Sequence, residues 1–265
     1  MGVDAWSPVT GVVMAALGAL LGWFVPALVA RIPEPVADAT DLDASGRPPE
    51  EVGSAGDTGR AAAVPLPSTG QEPKEEYAAI AALPGLAGRT AVVSGLAAGL
   101  VGLRLGWDPA LLVWAYLVPV GVALGLVDWR TRLLPTKVIA PSYAVVVALT
   151  LLAAAVGADL DALVRAGWGW LVAGGTFFVL WFIYPRGMGY GDVRLSGLLG
   201  IALGYLGWAE LLTGVYAGFL LGGVGGLLLS ALRIVDRKAY PFGPFMLVGA
   251  LVGVLLGPHV AAWYA

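Results

Sequence analysis

The 265-residue chain contains no cysteine and a single histidine, His259. Without thiols it can form neither disulfide bonds nor thiolate metal sites, and one imidazole cannot build a zinc site by itself. Charged residues are also scarce, at 12% of positions, and the basic ones are scattered singly at the ends of apolar runs. We therefore expect no metal centre, and no nucleic-acid interface, which would need a continuous basic stripe.

Apolar residues dominate what is present, at 58% of positions, and the mean hydropathy is +0.83. These values exclude an ordinary soluble domain. At 1.5 Å per residue, about 20 residues cross the ~30 Å hydrocarbon core of a bilayer, and the apolar runs approach that length. The sequence predicts an all-α, polytopic membrane helix bundle of about eight transmembrane helices, at residues 9–30, 90–105, 110–127, 138–156, 168–184, 193–206, 211–232 and 245–263.

Basic residues give the expected orientation of this bundle. Arg31 directly follows the first span, and the N-terminus carries Asp4 but no Lys or Arg, unlike a secretory leader. The positive-inside rule therefore places the N-terminus outside and Arg31 in the cytoplasm. The later connections on the cytoplasmic side of this path hold most of the remaining basic residues, namely Arg130, Arg132, Lys137, Arg186, Arg194, Arg233, Arg237 and Lys238.

Composition divides the chain into three parts: residues 1–33 with the first transmembrane helix, an acidic loop at 34–89, and a seven-helix core at 90–265. The loop holds ten acidic and four basic residues and is rich in Pro, Gly, Ala and Ser. Such a segment cannot bury enough apolar surface to offset its chain entropy, so it is predicted to be mostly disordered and cytoplasmic. Residues 77–86 could form a short helix on the membrane surface, although a solvated tether is the favoured interpretation.

Asp192 ends a Gly-rich stretch between two apolar runs, in the sequence PRGMGYGDVRL at residues 185–195. Gly189 and Gly191 permit positive φ and a tight bend, and they leave room for close approach to the acid. An acid at the start of a membrane helix is costly and marks a functional site by default. The simpler alternative is that Asp192 caps the helix that follows.

Asp128 lies at the cytoplasmic end of the third predicted span. Two spans separate it from Asp192, so both acids are predicted on one side of the membrane. Two carboxylates held close cannot both ionise easily, so the anion can activate water while the acid polarises a carbonyl, as in aspartic proteases. The helix dipoles suggest that Asp192, at a helix N-terminus, is the anion. The alternative for Asp128 is an ion pair with Arg130 or Arg132.

Three motifs occur in a specific order: Asp128 with a Leu-Pro pair that ends at Pro135, the Gly-Tyr-Gly-Asp run that ends at Asp192, and Pro-Phe-Gly-Pro-Phe at residues 241–245. In these motifs the chain resembles the type IV prepilin peptidases, or type IV leader peptidases, which are membrane aspartic proteases with a GxGD motif. The resemblance implies that Asp128 and Asp192 form the catalytic pair. It also marks supporting positions at Gly189, Gly191, Pro135, Pro241, Gly243 and Pro244.

Such enzymes remove the basic leader of type IV prepilins, or of the pseudopilins of type II secretion, at the cytoplasmic face of the bacterial inner (plasma) membrane. The resemblance therefore implies prepilin or pseudopilin partners, a lipid environment and no cofactor for cleavage. Many members also methylate the new N-terminus with S-adenosylmethionine. This chain lacks the two cysteine pairs that usually bind zinc in their cytoplasmic loop, and residues 24–28 replace the usual Asn-containing end of the first span. We therefore expect methylation to be weak or absent.

Two other functions compete with this interpretation. A proton-coupled transporter could use the two acids as a relay, but the halves of the chain show no internal repeat and both acids lie at one interface. A non-catalytic scaffold of a pilus or secretion apparatus would leave the two acids unexplained.

Overall fold

The computed structural model describes residues 6–34, 75–185, 188–231 and 241–264. Within these ranges the chain forms ten α-helices and no strand, which confirms the all-helical prediction. The helices are α1 Pro8–Trp23, α2 Val25–Ala30, α3 Tyr77–Ala81, α4 Leu86–Leu105, α5 Leu111–Thr131, α6 Thr136–Gly157, α7 Leu160–Ile183, α8 Tyr190–Leu206, α9 Trp208–Ala231 and α10 Gly243–Tyr264.

Each of the eight predicted spans corresponds to a helix or, for the first, to α1 together with α2. Within the described part of the chain, seven of these segments are long and apolar enough to cross a membrane. The exception is α8, the sixth predicted span, whose 17 residues rise about 26 Å, less than a ~30 Å hydrocarbon core. The second predicted span, residues 90–105, was also short, but the corresponding helix α4 begins at Leu86 and has 20 residues. The acidic loop therefore ends before residue 89.

Three antiparallel helix pairs, α1 with α4, α7 with α8 and α9 with α10, make the most extensive contacts. Glycine allows the backbones to approach closely in each pair. A Cβ atom added at Gly169 of α7 would lie 2.9 Å from the Cα atom of Gly204 in α8, closer than real Cβ contacts. Because lipid tails are as apolar as the helices, such close packing is a principal source of helix association in a membrane.

The short helix α8 lies at the centre of the bundle. It packs on α6, α7, α9 and α10, and Leu195, Leu198 and Leu203 are at most 2% exposed. Its first turn carries Asp192. Helix α5 packs on α4, α6 and α10, and its last turns carry Asp128. The two acids therefore depend on helices that are fixed by neighbours on several sides.

The end of the acidic loop docks against the bundle, so the favoured interpretation of residues 77–86 as a solvated tether is wrong. Tyr77 and Ile80 of α3 are 3% and 0% exposed and pack with α2. The Tyr77 N–H donates a 2.6 Å hydrogen bond to the Glu34 carboxylate. The apolar pair at i and i+3 shares one helix face, which supplies the surface that a tether lacks. The predicted disorder of residues 35–74 lies outside the described residues.

Candidate active site

Asp128 is buried near the end of α5, with 4% of its surface exposed. Its Oδ2 atom accepts a 2.9 Å hydrogen bond from the N–H of Gly243. Gly243 is the first residue of α10, and the N–H groups of a first helical turn have no partner inside their own helix. The carboxylate of Asp128 therefore supplies an acceptor that the α10 N-terminus needs.

Asp192 is the third residue of α8 and is 7% exposed. Its Oδ2 atom accepts a 3.1 Å hydrogen bond from the N–H of Gly189, the residue that precedes the helix. This contact is one half of a capping box, so Asp192 does help to cap α8, but from the third helical position and not as the N-cap residue, which is Gly189. A cap at a protein surface needs no burial, however, and Asp192 is buried.

The two carboxylates lie close enough to interact electrostatically. In each, Oδ2 is held by a backbone N–H, whereas Oδ1 makes no hydrogen bond to any residue that the structure describes. Neither acid forms an ion pair within the described ranges. Buried, unpaired carboxylates are costly, and a pair of them with two free oxygens can share a proton and hold a water molecule.

The alternative ion pair between Asp128 and Arg130 does not form. Arg130 instead makes two hydrogen bonds to Glu75, from Nε to Oε2 at 2.6 Å and from Nη2 to Oε1 at 2.5 Å. These hydrogen bonds hold the pKa of the Glu75 carboxyl below its usual value. Arg132 adopts a left-handed conformation, with φ at 57°, and ends α5. The end of the acidic loop is therefore the ion-pair partner of Arg130, the arginine nearest in sequence to Asp128.

The two glycines of the motif do not adopt the positive φ that the sequence analysis allowed for, but one of them does permit a close approach. Among the described glycines only Gly85 and Gly106 have φ in the positive range that favours glycine, so neither Gly189 nor Gly191 uses its freedom to adopt that conformation. A Cβ atom at Gly191 would lie 2.6 Å from the Cβ atom of Leu134. Gly191 therefore lets α8 pack against the connection between α5 and α6. A Cβ atom at Gly189 would lie 3.4 Å from Asp192 Oδ2, an ordinary van der Waals distance, so close packing does not require glycine there.

Residues 241–245 lead into α10 beside Asp128, with Pro241 before the helix and Gly243 and Pro244 as its first two residues. Pro241 and Gly243 are buried, and Pro244 occupies a helix position whose N–H has no helical partner to lose. Phe242 packs its ring 5.9 Å from that of Phe177 and 5.7 Å from that of Phe219, centroid to centroid. This aromatic cluster fixes the segment that presents the Gly243 N–H to Asp128. Pro135 likewise precedes the first turn of α6.

The difference between the two acids that the helix dipoles suggested is absent. Asp192 lies in the first turn of α8, as predicted. Asp128 lies near the C-terminus of α5, but its carboxylate also faces the N-terminus of α10 through Gly243. Since both carboxylates are at the positive end of a helix dipole, the structure does not assign the anion to one of them.

Sequence reasoning missed the contribution of the loop end. Glu75, just before α3, binds Arg130 of α5, and Tyr77 of α3 packs with α2. The sequence signal for this docking was the apolar pair Tyr77 and Ile80 in an otherwise polar loop. Within the described residues, no group of three or more His, Cys, Asp or Glu side chains could hold a metal ion.

The profile of the type IV leader peptidase family matches residues 115–229. Both acids lie inside this match. Residues 115–229, the family segment, are therefore the part of the chain that is similar to the type IV leader peptidase family. The family segment thus comprises most of α5, all of α6, α7 and α8, and nearly all of α9, whereas residues 241–245 lie beyond it.

Two relatives extend the similarity. The chain is 32% identical over 167 residues to the prepilin leader peptidase/N-methyltransferase of Aeromonas salmonicida strain A449, covering 61% of this chain and 54% of the relative. It is 30% identical over 183 residues to the protein of the same description in Pseudomonas aeruginosa, covering 66% and 58%. The chain thus matches little more than half the length of these two relatives. No solved structure matches it significantly.

Proposed function

We propose that the chain is an aspartic endopeptidase that removes the basic leader from prepilins or pseudopilins. The work would take place at the cytoplasmic face of a bacterial inner membrane, in a type IV pilus or type II secretion system. The observation that carries this proposal is the pair of buried carboxylates, Asp128 and Asp192, without ion-pair partners among the described residues and inside the family segment. The relatives' description as prepilin leader peptidases supports the substrate class.

The contacts of the two acids suggest how they divide the chemistry. The N–H groups of Gly243 and Gly189 each hold one oxygen of a carboxylate, which leaves the other oxygen for water or substrate. The anionic member takes a proton from water as the water oxygen attacks the scissile carbonyl, and the protonated member donates its proton to the carbonyl oxygen. Collapse of this intermediate breaks the C–N bond, and the leaving amine takes up a proton from the pair.

The direct test is to incubate the purified protein in detergent with a prepilin that carries a basic leader. The proposal requires a product shortened by the leader. Absence of the product under all detergent and lipid conditions would contradict it and favour the scaffold. Proton flux in proteoliposomes without cleavage would favour the transporter, although both acids lie near helix ends.

Methylation of the new N-terminus is predicted to be weak or absent. A methyltransferase must hold S-adenosylmethionine beside the new amine in an ordered pocket with placed polar groups. The chain has no cysteine with which a zinc site could order its acidic loop. The test is to express this protein as the only prepilin peptidase in a host and to measure the mass of the N-terminus of the processed pilin by mass spectrometry. An N-terminus heavier by one methyl group would show the prediction to be wrong, and would imply S-adenosylmethionine as a cofactor.

Most of the acidic loop is predicted to be dispensable for cleavage. Because the Glu34 side chain contacts the N–H of Tyr77, the two ends of the loop are adjacent. Residues 35–74 can therefore be replaced by a flexible Gly/Ser linker of about eight residues, which spans roughly 16 Å. We expect an unchanged kcat and a higher KM, because the acids of the loop attract the basic leader over a Debye length of ~8 Å at physiological salt.

The effect on KM should disappear at high salt, which kinetics at two salt concentrations would measure. The matched control extends the same deletion through Ile80 and so removes Glu75 and Tyr77 as well. This larger deletion should lower kcat or stability, since it frees Arg130 and exposes the apolar face of α2. An equal loss of kcat in both deletions would contradict the distinction between the loop and its docked end.

A further inference from the structure

A groove of about 1060 Å³ runs between α6 and α7, with α8 as its floor. Only Ala158 and Asp159 connect α6 to α7, yet each of these helices packs more on α8 than on the other. The two helices therefore diverge from their short connection. The lining residues from Thr136 to Leu151 of α6 extend over about 22 Å at 1.5 Å per residue.

The exposed walls of the groove are apolar. Several apolar residues of its two walls are substantially exposed: Val147 by 43%, Leu151 by 53%, Trp170 by 49% and Phe178 by 45%. Arg194 is the one charged residue among those described that line it. In a bilayer, an open apolar groove with a single charged residue at one end complements an uncharged transmembrane segment and disfavours a charged one.

One end of the groove lies at the candidate active site. Tyr190, Val193 and Arg194 line it and belong to the same first turns of α8 as Asp192. Arg194 donates a hydrogen bond to the Thr136 hydroxyl and lies over the ring of Tyr190, 4.7 Å from its centroid. Asp192 itself is not a lining residue, so a chain in the groove reaches the two acids by crossing the start of α8.

Two glycines of α7 favour a helix as the occupant. Gly167 and Gly175 line the groove, and a Cβ atom added at either would meet no atom within 4 Å. By contrast, Gly169 on the same helix is pressed against the backbone of α8. Bare helix backbone allows another helix to approach closely in a membrane, whereas a fluid acyl chain gains nothing specific from it.

We propose that this groove binds the apolar helix that follows the scissile bond of the substrate. The inference rests on the proposed peptidase function: the basic leader precedes the scissile bond and does not fit an apolar groove, so the segment that follows the bond is the one that can occupy it. With the helix in the groove, the leader remains in the cytoplasm, because the charge of Arg194 at the groove's end opposes the entry of Lys or Arg. The bond between leader and helix then lies over the first turn of α8, next to Asp192 and Asp128.

A groove-filling substitution tests this proposal. Gly175→Leu adds a side chain where the fold itself has free space, so it should fill the groove without disturbing the protein. The matched control is Gly223→Leu on α9, where a Cβ atom also meets no atom within 4 Å and which does not line the groove. The substrate is a synthetic peptide with a basic leader, a cleavage site and an apolar helix of about 20 residues.

Gly175→Leu is expected to raise KM for this peptide roughly tenfold with little change in kcat. The groove contacts hold the substrate equally in the ground state and the transition state, so their loss weakens binding without slowing the chemical step. Gly223→Leu should match the wild type. If the wild type cleaves the peptide and both variants have its KM, the groove proposal is overturned while the peptidase function stands.

Cross-linking tests the groove independently of cleavage and of the folding of Gly175→Leu. In the Asp192→Asn protein, a photo-reactive residue replaces Leu151 in the groove or, as the control, Val224 on α9, which is 50% exposed. Cross-links of the peptide to position 151 and not to 224 support the proposal, even if the wild type shows no peptidase activity. Cross-links at 151 to phospholipid alone, with the peptide present, overturn it.

Discussion

Asp128→Asn and Asp192→Asn are each expected to lower kcat for leader cleavage by at least about 10³-fold, since each removes a proton-transferring group. An amide can neither take a proton from water nor donate one to the carbonyl as a carboxyl does. Both variants should fold, because the amide oxygen can still accept the hydrogen bond from Gly243 at position 128 or from Gly189 at position 192.

Cleavage kinetics and thermal unfolding of the same preparations would separate chemistry from folding. The control is Asp161→Asn, which neutralises an exposed acid in the first turn of α7, far along the chain from either acid. It should keep wild-type kinetics. Near-wild-type turnover in either Asp128→Asn or Asp192→Asn would rule out a mechanism that uses two carboxylates.

Gly243→Ala is expected to lower kcat by about 10²-fold, the effect typical of a displacement of a catalytic group by about 1 Å. The new Cβ atom would lie 2.7 Å from Oδ2 and 3.3 Å from Cγ of Asp128. A carboxylate is the flexible end of its side chain, so it should move aside and lose its hydrogen bond while α10 stays in place. KM should change little, because the substrate contacts that set binding are elsewhere.

The matched control for this prediction is Gly125→Ala, one turn before Asp128 on α5. Its Cβ atom would lie 3.1 Å from a terminal carbon of Leu247, so the steric perturbation falls on a flexible apolar side chain. We expect activity near that of the wild type. If Gly243→Ala and Gly125→Ala have the same kcat, the contact between Gly243 and Asp128 does not position the acid.

The helices and the approximate spans could be predicted from the sequence because a bilayer restricts the secondary structures that a spanning segment can adopt. Backbone groups in lipid must be satisfied within each span, so an apolar run of sufficient length forms a helix. The two acids could also be placed together, because two crossings return a chain to the side it left. Asp128 and Asp192 were identified on this basis and by their motifs, and the structure brings them to one end of the bundle.

The tertiary structure alone decided what surrounds the two acids. Asp128 contacts Gly243, 115 residues later in the chain, and Arg130 binds Glu75, 55 residues earlier. Such contacts depend on how each helix is rotated about its axis. In a soluble protein the polar face reveals this rotation, but these helices are apolar on nearly all sides because lipid is as apolar as the interior. For the same reason the groove could not be predicted from the sequence. The divergence of α6 from α7 results from the way both helices pack on α8, and it produces no recognisable pattern in the sequence of either helix.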